Sequence, residues 1–454
     1  MKKFIENIKN IWKVEELRKR IILTLSIILI YRIGSFIILP GVDYTVLQAN
    51  QAQPAGDPNM LETLLSLFTG GSFTNVSIMA LGIMPYISAS IIMQLLGMAV
   101  PAVQKMQQEG ESGRKRINNY TRILTIVICA FQAPTYIALY ASSKTAVLPG
   151  VGEVSAFGHD AWTFTWMSAI VLLVAGAMFA VWLGERITDK GVGNGISLLI
   201  TVGILARLPE AFMAEIGLQN GNLIQIVIEI FAFMMVVLAT ILIVQGVRKV
   251  PLNTAKRVVG NRAAEDQGAR SYLPIKVNAS GVMPIIFAQA IMTVPLMVFT
   301  APDSFVGQVF GDIYGVGYNA ALAVLIIVFT YFYTAIMINP RKIADELKRS
   351  GGFIPGIRPG EETADYIDSL VSRITFPGSV FLALIAILPA FAAMAGINGS
   401  FAMFFGGTSL LIMVGVVLDT LQQIESYLLN RQMDGLMDGT RIKGRRTQGE
   451  MSGM

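Results

Sequence analysis

The chain has 454 residues, 54% of them hydrophobic and only 14% charged, with a mean hydropathy of +0.60, whereas soluble domains carry roughly 25% charge. That balance excludes an ordinary soluble enzyme and places the chain among membrane proteins. A single cysteine, Cys129, excludes a disulfide frame or a thiolate metal site, and a single histidine, His159, argues against metal-assisted hydrolysis.

Residues 1–20 hold seven basic side chains and an apolar stripe of Ile5, Ile8 and Trp12. They predict an amphipathic cytosolic segment on the membrane surface rather than a cleaved signal. Uncharged runs then recur at lengths suited to the hydrocarbon core. Ten spans are predicted, at 21–39, 76–99, 123–141, 164–183, 196–206, 223–244, 282–299, 320–338, 374–391 and 408–429. The fifth is short, since eleven residues at about 1.5 Å each cover about half a bilayer, so that helix must tilt, recruit flanking residues or sit inside the bundle.

Lysine and arginine set the orientation, because cytosolic connections keep the excess. Of the 35 basic residues, 32 fall in the N-terminal segment, the alternate connections and the C-terminal tail, leaving Lys144 and Arg207 outside and Arg32 within the first span. Ten crossings with both ends cytosolic fit this alternation. Had the fifth segment not crossed, every later loop would have reversed sign. Ten spans divide into halves at 21–207 and 208–429, with a cytosolic tail at 430–454; two five-span halves must be inserted upside down relative to each other.

Between the first two spans, Leu61, Leu64, Leu65 and Phe68 fall at helical spacing and are followed by Gly70 and Gly71. A short amphipathic helix ending at a glycine break is expected over about 60–71. It rests on the outer leaflet or folds back into a cavity. The second span holds Gly82, Pro85, Ser88, Ser90 and Gln94, too polar for lipid alone, so an interior lining and a kink at Pro85 are expected. Its isoleucines Ile83, Ile87 and Ile91 stand four apart, which as a pattern is ordinary packing.

Two long cytosolic loops, 245–281 and 340–373, are strongly charged. The first carries Arg248, Lys256 and Arg257; the second carries a proline- and glycine-stiffened tip at 352–360. Positive-inside bias accounts for the charge but not for the length, and docking of a large partner or an anionic RNA would account for both. No phosphate-binding glycine loop precedes a lysine, so nucleotide chemistry belongs to another polypeptide. Few charges fall within spans: Arg32, Glu229, Asp419 and Glu425 are the candidates, Asp419 and Glu425 lie toward the cytosolic end of the last span, and no two acids are expected to form a central relay, which weakens a proton-coupled transporter.

Five motifs, "ALGIMPYISASIIMQLL" at 80–96, "GVGNGISLLI" at 191–200, "LPIKVNASGVMPIIFA" at 273–288, "GGFIPGIRPG" at 351–360 and "FGGTSLLI" at 405–412, together resemble the bacterial SecY translocon family, in order and almost from end to end. The resemblance implies an all-α membrane protein of ten helices in two inverted halves around a central pore. It implies no enzyme and no cofactor. The stretch from Leu61 to Gly71 would be an external plug, and Ile83, Ile87, Ile196, Ile200, Ile286 and Ile412 a constriction that stops ions by dewetting. Ser88, Gln132 and Asn278 match polar positions of a lateral gate through which signal sequences reach membrane lipid. Arg358, with Arg248, Lys256 and Arg257 on the neighbouring loop, would meet the SecA motor ATPase or the ribosome and its RNA. SecE and SecG subunits are further implied partners, signal-sequence-bearing preproteins the cargo, and the bacterial cytoplasmic membrane the location. The opening "VQGVRKVPLNTAKR" of loop 245–281 departs from the family's pattern. A secondary transporter of a small solute is the alternative.

Overall fold

The computed structural model describes residues 14–47, 66, 68–138, 145–148, 152–155, 164–218, 223–254, 271–298 and 314–439. Long helices stand in all ten expected places: α1 (Glu15–Gly34), α2 (Met84–Ala99), α4 (Glu111–Tyr136), α5 (Phe164–Lys190), α6 (Gly195–Leu218), α7 (Leu223–Val244), α8 (Met283–Val298), α9 (Val316–Met337), α11 (Glu361–Met394) and α13 (Gly407–Gly439). Shorter helices α3 (Pro101–Gln108), α10 (Pro340–Arg349) and α12 (Gly399–Ala402) join them. Among the described residues, six stretches are each long and apolar enough to cross a membrane: Phe164–Lys190, Gly195–Leu218, Leu223–Val244, Val316–Arg349, Glu361–Met394 and Gly407–Leu429. The other four helices are shorter or begin with charged turns. Helices α2 and α8 have 16 residues each, about 24 Å at about 1.5 Å per residue.

Three expectations are corrected, the first being the start of the second span, whose helix begins at Met84 and not at Val76. The fifth span does not stop at residue 206 but recruits flanking residues: α6 runs for 24 residues with Pro209 inside it. Arg207, just past the expected end, is accommodated by Glu210 one turn on, at 3.5 Å. Pro85 does not kink the second span, because the helix only begins at Met84 and the proline occupies its first turn. There the missing N–H has no intrahelical acceptor to lose.

The chain forms two compact units. The first takes residues 1–55, 71–202 and 416–454, and the second 56–70 and 203–415. In the first unit, α2 packs on α4, α4 on α5, and α1 on α5. Residues 71–83 are turns rather than helix, yet Ser72, Val76, Ser77 and Ala80 are fully buried. Irregular backbone at such a place must find internal partners. It does: Leu39 N–H donates to the Val76 carbonyl and Ile78 N–H to that of Ile37, both at 2.9 Å. The Tyr136 hydroxyl from α4 donates to the Phe73 carbonyl at 2.7 Å, with the two rings edge to face.

The turn from α5 into α6 is clamped from both sides. Val192 N–H donates to Thr24 Oγ1 at 3.1 Å, Gly193 N–H to Gln423 Oε1 at 3.0 Å, and Gly195 N–H to Thr188 Oγ1 at 2.9 Å. Glycine is required at 195, where a Cβ would strike the Gly184 carbonyl.

In the second unit, α8, α9, α11 and the start of α13 enclose a core of Ile285, Met292, Leu322, Ile326, Leu382 and Leu411. Outside it, the described parts of both long loops fold into one structure. Strand β3 (Val247–Thr254) pairs antiparallel with β4 (Ser271–Lys276) and, at its far end, with β5 (Gly352–Phe353). A separate hairpin, β1 (Thr145–Leu148) with β2 (Gly152–Ser155), lies in the connection before α5. Val250 and Ile275 from the three-stranded sheet, with Ile354 just after β5, pack on Ile367 and Val371 of α11. Helix α10 closes this group; Asn339 caps it by accepting the Lys342 N–H at 3.2 Å, and Pro340 fills its first position.

Candidate functional site

The six isoleucines share one local setting. They lie on α2, α6, α8 and α13, and each of those helices begins at or just after a glycine in the left-handed region: Gly82 (φ 54°), Gly193 (φ 85°), Gly281 (φ 65°) and Gly407 (φ 67°). A residue with a side chain is disfavoured at such φ. In each case the chain turns sharply on the glycine, and the isoleucine follows within the first two turns. Ile83 is the N-cap of α2 and Ile87 follows one turn later, its N–H donating to the Ile83 carbonyl at 3.1 Å. Ile196 and Ile200 repeat that spacing in α6, so each pair shares one helix face. Ile286 lies in the first turn of α8 and Ile412 in the second turn of α13. Ile83, Ile200 and Ile412 are buried; Ile87, Ile196 and Ile286 are half-buried. The first four belong to one unit and Ile286 and Ile412 to the other.

Leu61, Leu64 and Leu65 lie outside the described residues. Phe68 is half-buried in a helical turn, and the chain then breaks on two successive left-handed glycines, Gly70 (φ 62°) and Gly71 (φ 89°). The segment runs tightly against α6: a Cβ placed on Gly203 would sit 3.0 Å from the Phe68 carbonyl oxygen and 3.2 Å from Gly70 N.

Among the three polar positions, Ser88 on α2 donates to the Met84 carbonyl of its own helix at 3.2 Å, and Gln132 on α4 is exposed. These two helices pack together in the first unit. Asn278, in the second unit, stands in the turn between β4 and α8, where its Oδ1 accepts from Ser280 Oγ at 3.4 Å.

Of the basic positions, Arg248 is exposed on β3, while Lys256 and Arg257 lie outside the described residues. The Arg358 side chain is 88% exposed, with Glu362 at 3.8 Å. The loop that carries it is rigid by construction: Thr363 Oγ1 donates to the Arg358 carbonyl at 2.7 Å, and Ile354 is buried beneath.

Sequence reasoning treated the two long charged loops separately and missed the sheet that fuses them. The alternation of Val250, Leu252 and Leu273, Ile275 was the available signal. It also missed Glu215, because α6 was ended too early. Glu215 is 1% exposed and accepts the Asn398 N–H at 2.8 Å. Glu229, one of the expected intramembrane charges, packs against it within hydrogen-bonding reach, alongside Gln225.

The SecY family model matches residues 77–421. Protein translocase subunit SecY of Mycobacterium tuberculosis is 38% identical over 96% of this chain and 99% of the relative. The same subunit of Streptomyces scabiei is 39% identical over 94% and 98%, and that of Chlamydia trachomatis 37% identical over 96% and 99%. Among solved structures, a protein-conducting channel aligns with TM-score 0.62 at 19% identity, covering 93% of this chain and 94% of that one. Sec61 in the canine ribosome–channel complex aligns with TM-score 0.59 at 18% identity, over 93% and 94%; at these identities the likeness speaks to fold. The solute-transporter alternative finds no support in these relationships, and the chain belongs to the SecY family of protein translocase subunits.

Proposed function

We propose that the chain passes unfolded secretory polypeptides through a ring of Ile83, Ile87, Ile196, Ile200, Ile286 and Ile412, and releases transmembrane segments sideways past Ser88, Gln132 and Asn278. The observation that carries this reading is the recurrence of one device on four helices: a left-handed glycine, then isoleucine within two turns. Branched apolar side chains on short helical starts fit around a peptide of any sequence without offering it a polar bond. When no peptide is present, they hold a dry constriction against ions.

The segment ending at Gly70 and Gly71 serves as the external plug over that constriction. The fused loops, with Arg358 at the tip and Arg248, Lys256 and Arg257 alongside, receive the SecA motor ATPase or the ribosome, which supply the energy; the chain itself hydrolyses nothing. SecE and SecG complete the complex in the bacterial cytoplasmic membrane, with both termini cytosolic by the distribution of basic residues. The inverted halves divide near residue 207.

The test is Ile87→Cys in a chain whose buried Cys129 is replaced by Ala, crosslinked to a preprotein stalled halfway through reconstituted membranes. An adduct that requires motor and ATP supports the ring. Continued transport without an adduct moves the pore elsewhere.

A further inference from the structure

At one end of the first unit, α4 and α5 part to leave an open groove of about 440 Å³ bounded by Arg122, Trp182, Glu185, Arg186 and Asp189. Its charges are balanced and separated. Arg122 is held by Glu185 through two bonds of 2.8 and 2.7 Å, and Asp189 adds its field to the same guanidinium. Arg186 lies over the Trp182 ring at 5.2 Å, and that ring stacks on Phe179 at 5.8 Å. Among the described residues, neither Arg186 nor Asp189 enters an ion pair, so the groove presents one cationic and one anionic pole a turn apart.

Beyond the groove the surface becomes apolar in two parallel strips. Ile123, Ile126 and Val127 are exposed on α4, and Val171, Phe179 and Trp182 on α5, both at helical spacing. A half-exposed tryptophan between a charged rim and an apolar wall is the arrangement found at the level of lipid headgroups. On the orientation proposed above, this is the cytosolic leaflet.

We propose that the groove seats one phospholipid whose zwitterionic headgroup carries a primary ammonium, a phosphatidylethanolamine. Its phosphate lies at Arg186, its ammonium between Glu185 and Asp189, and its chains along the two strips. Charge complementarity selects this occupant. A purely anionic headgroup would set its phosphate beside two carboxylates without offering them a donor. A trimethylammonium headgroup has no N–H to give them.

The experiment uses the full chain in bilayer discs containing phospholipid brominated in its chains, at equal mole fraction with either an ethanolamine or a choline headgroup. Bromine quenches nearby indoles, and subtracting the signal of the Trp182→Phe variant isolates Trp182. Brominated phosphatidylethanolamine should quench that component roughly threefold more than its choline analogue, as expected of two exposed ion pairs. Asp189→Asn should remove most of the excess, and Arg186→Gln should lower the quenching by both lipids. Equal quenching by both lipids, or an excess that survives Asp189→Asn, would overturn the proposal in favour of ordinary annular lipid. Stronger quenching by brominated phosphatidylglycerol would replace it with an anion site, and no quenching by any lipid would mean that a protein covers this face.

Discussion

Glu215 on α6 accepts the backbone N–H of Asn398 at 2.8 Å, so a carboxyl group that is 1% exposed ties α6 to the connection between α11 and α12. Asn398 in turn caps α12 by accepting the Ser400 N–H at 2.9 Å. Glu215→Ala removes the acceptor and leaves a shielded donor, which should cost about 1–3 kcal/mol. Glu229→Gln keeps hydrogen-bonding capacity beside Glu215 and removes a like charge, so its effect should be neutral or stabilising. Thermal unfolding of the two variants in detergent measures the contrast; equal losses would contradict this account of the pair.

The three-stranded sheet predicts a joint failure of both loops. Ile367 is fully buried between Val250, Ile275 and Ile354, and Ile367→Ala should cost about 2–5 kcal/mol. Because Asn253 and Thr254 pair with Phe353 and Gly352, protease sites in both 247–276 and 352–360 should open together. Opening of one loop alone would mean that the strand pairing contributes little.

The spans were legible because bilayer burial enforces a composition rule over some twenty residues, and glycine, with its free φ, marks the breaks between them. Helix ends were less legible. The uncharged run ends at Ala206, yet Glu210 pairs with Arg207 and the helix continues to Leu218. Val76 looked helical because it is apolar, although its φ is 46° and its carbonyl bonds Leu39. Residues at a site were recognisable as types, but partners far apart in sequence were not. Nothing local in 352–353 announces a strand, since its partner lies about a hundred residues earlier.

Asp43 gives a pH dependence with a definite sign. Its Oδ1 accepts both the N–H and the hydroxyl of Thr45, at 2.9 and 2.7 Å. Those two bonds hold the carboxyl below its ordinary range. A lowered folded value means that the bonds' contribution is complete above the unfolded carboxylate value of about 3.9 and is lost as pH falls through the folded one. The Thr45 amide resonance, followed by NMR, should therefore titrate below that value, and Thr45→Val should raise the midpoint of Asp43. An unchanged midpoint would refute the assignment.

Arg358 separates docking from stability. Its guanidinium is exposed, with Glu362 at 3.8 Å, so Arg358→Glu should change stability by no more than about 0.5 kcal/mol. Motor-driven preprotein transport should nevertheless fall sharply if the rigid tip is the motor's contact. Loss of transport accompanied by an equal loss of thermal stability would point to a damaged loop instead.

Gly203 tests the seal. A methyl group there would stand 3.0 Å from the Phe68 carbonyl and 3.2 Å from Gly70 N, so the neighbouring backbone would have to yield by a few tenths of an ångström. Gly203→Ala also improves the propensity of α6 by about 1 kcal/mol, which makes it the informative variant: its helix is more stable while its neighbour is pushed. Gly203→Leu pushes further. If residues 68–70 anchor a plug, single-channel recordings in planar bilayers should show ion leak rising from wild type to Ala to Leu, while preprotein transport persists. The direction distinguishes this from general damage, because a destabilised α6 would reduce transport in the leucine variant and leave the alanine variant tight.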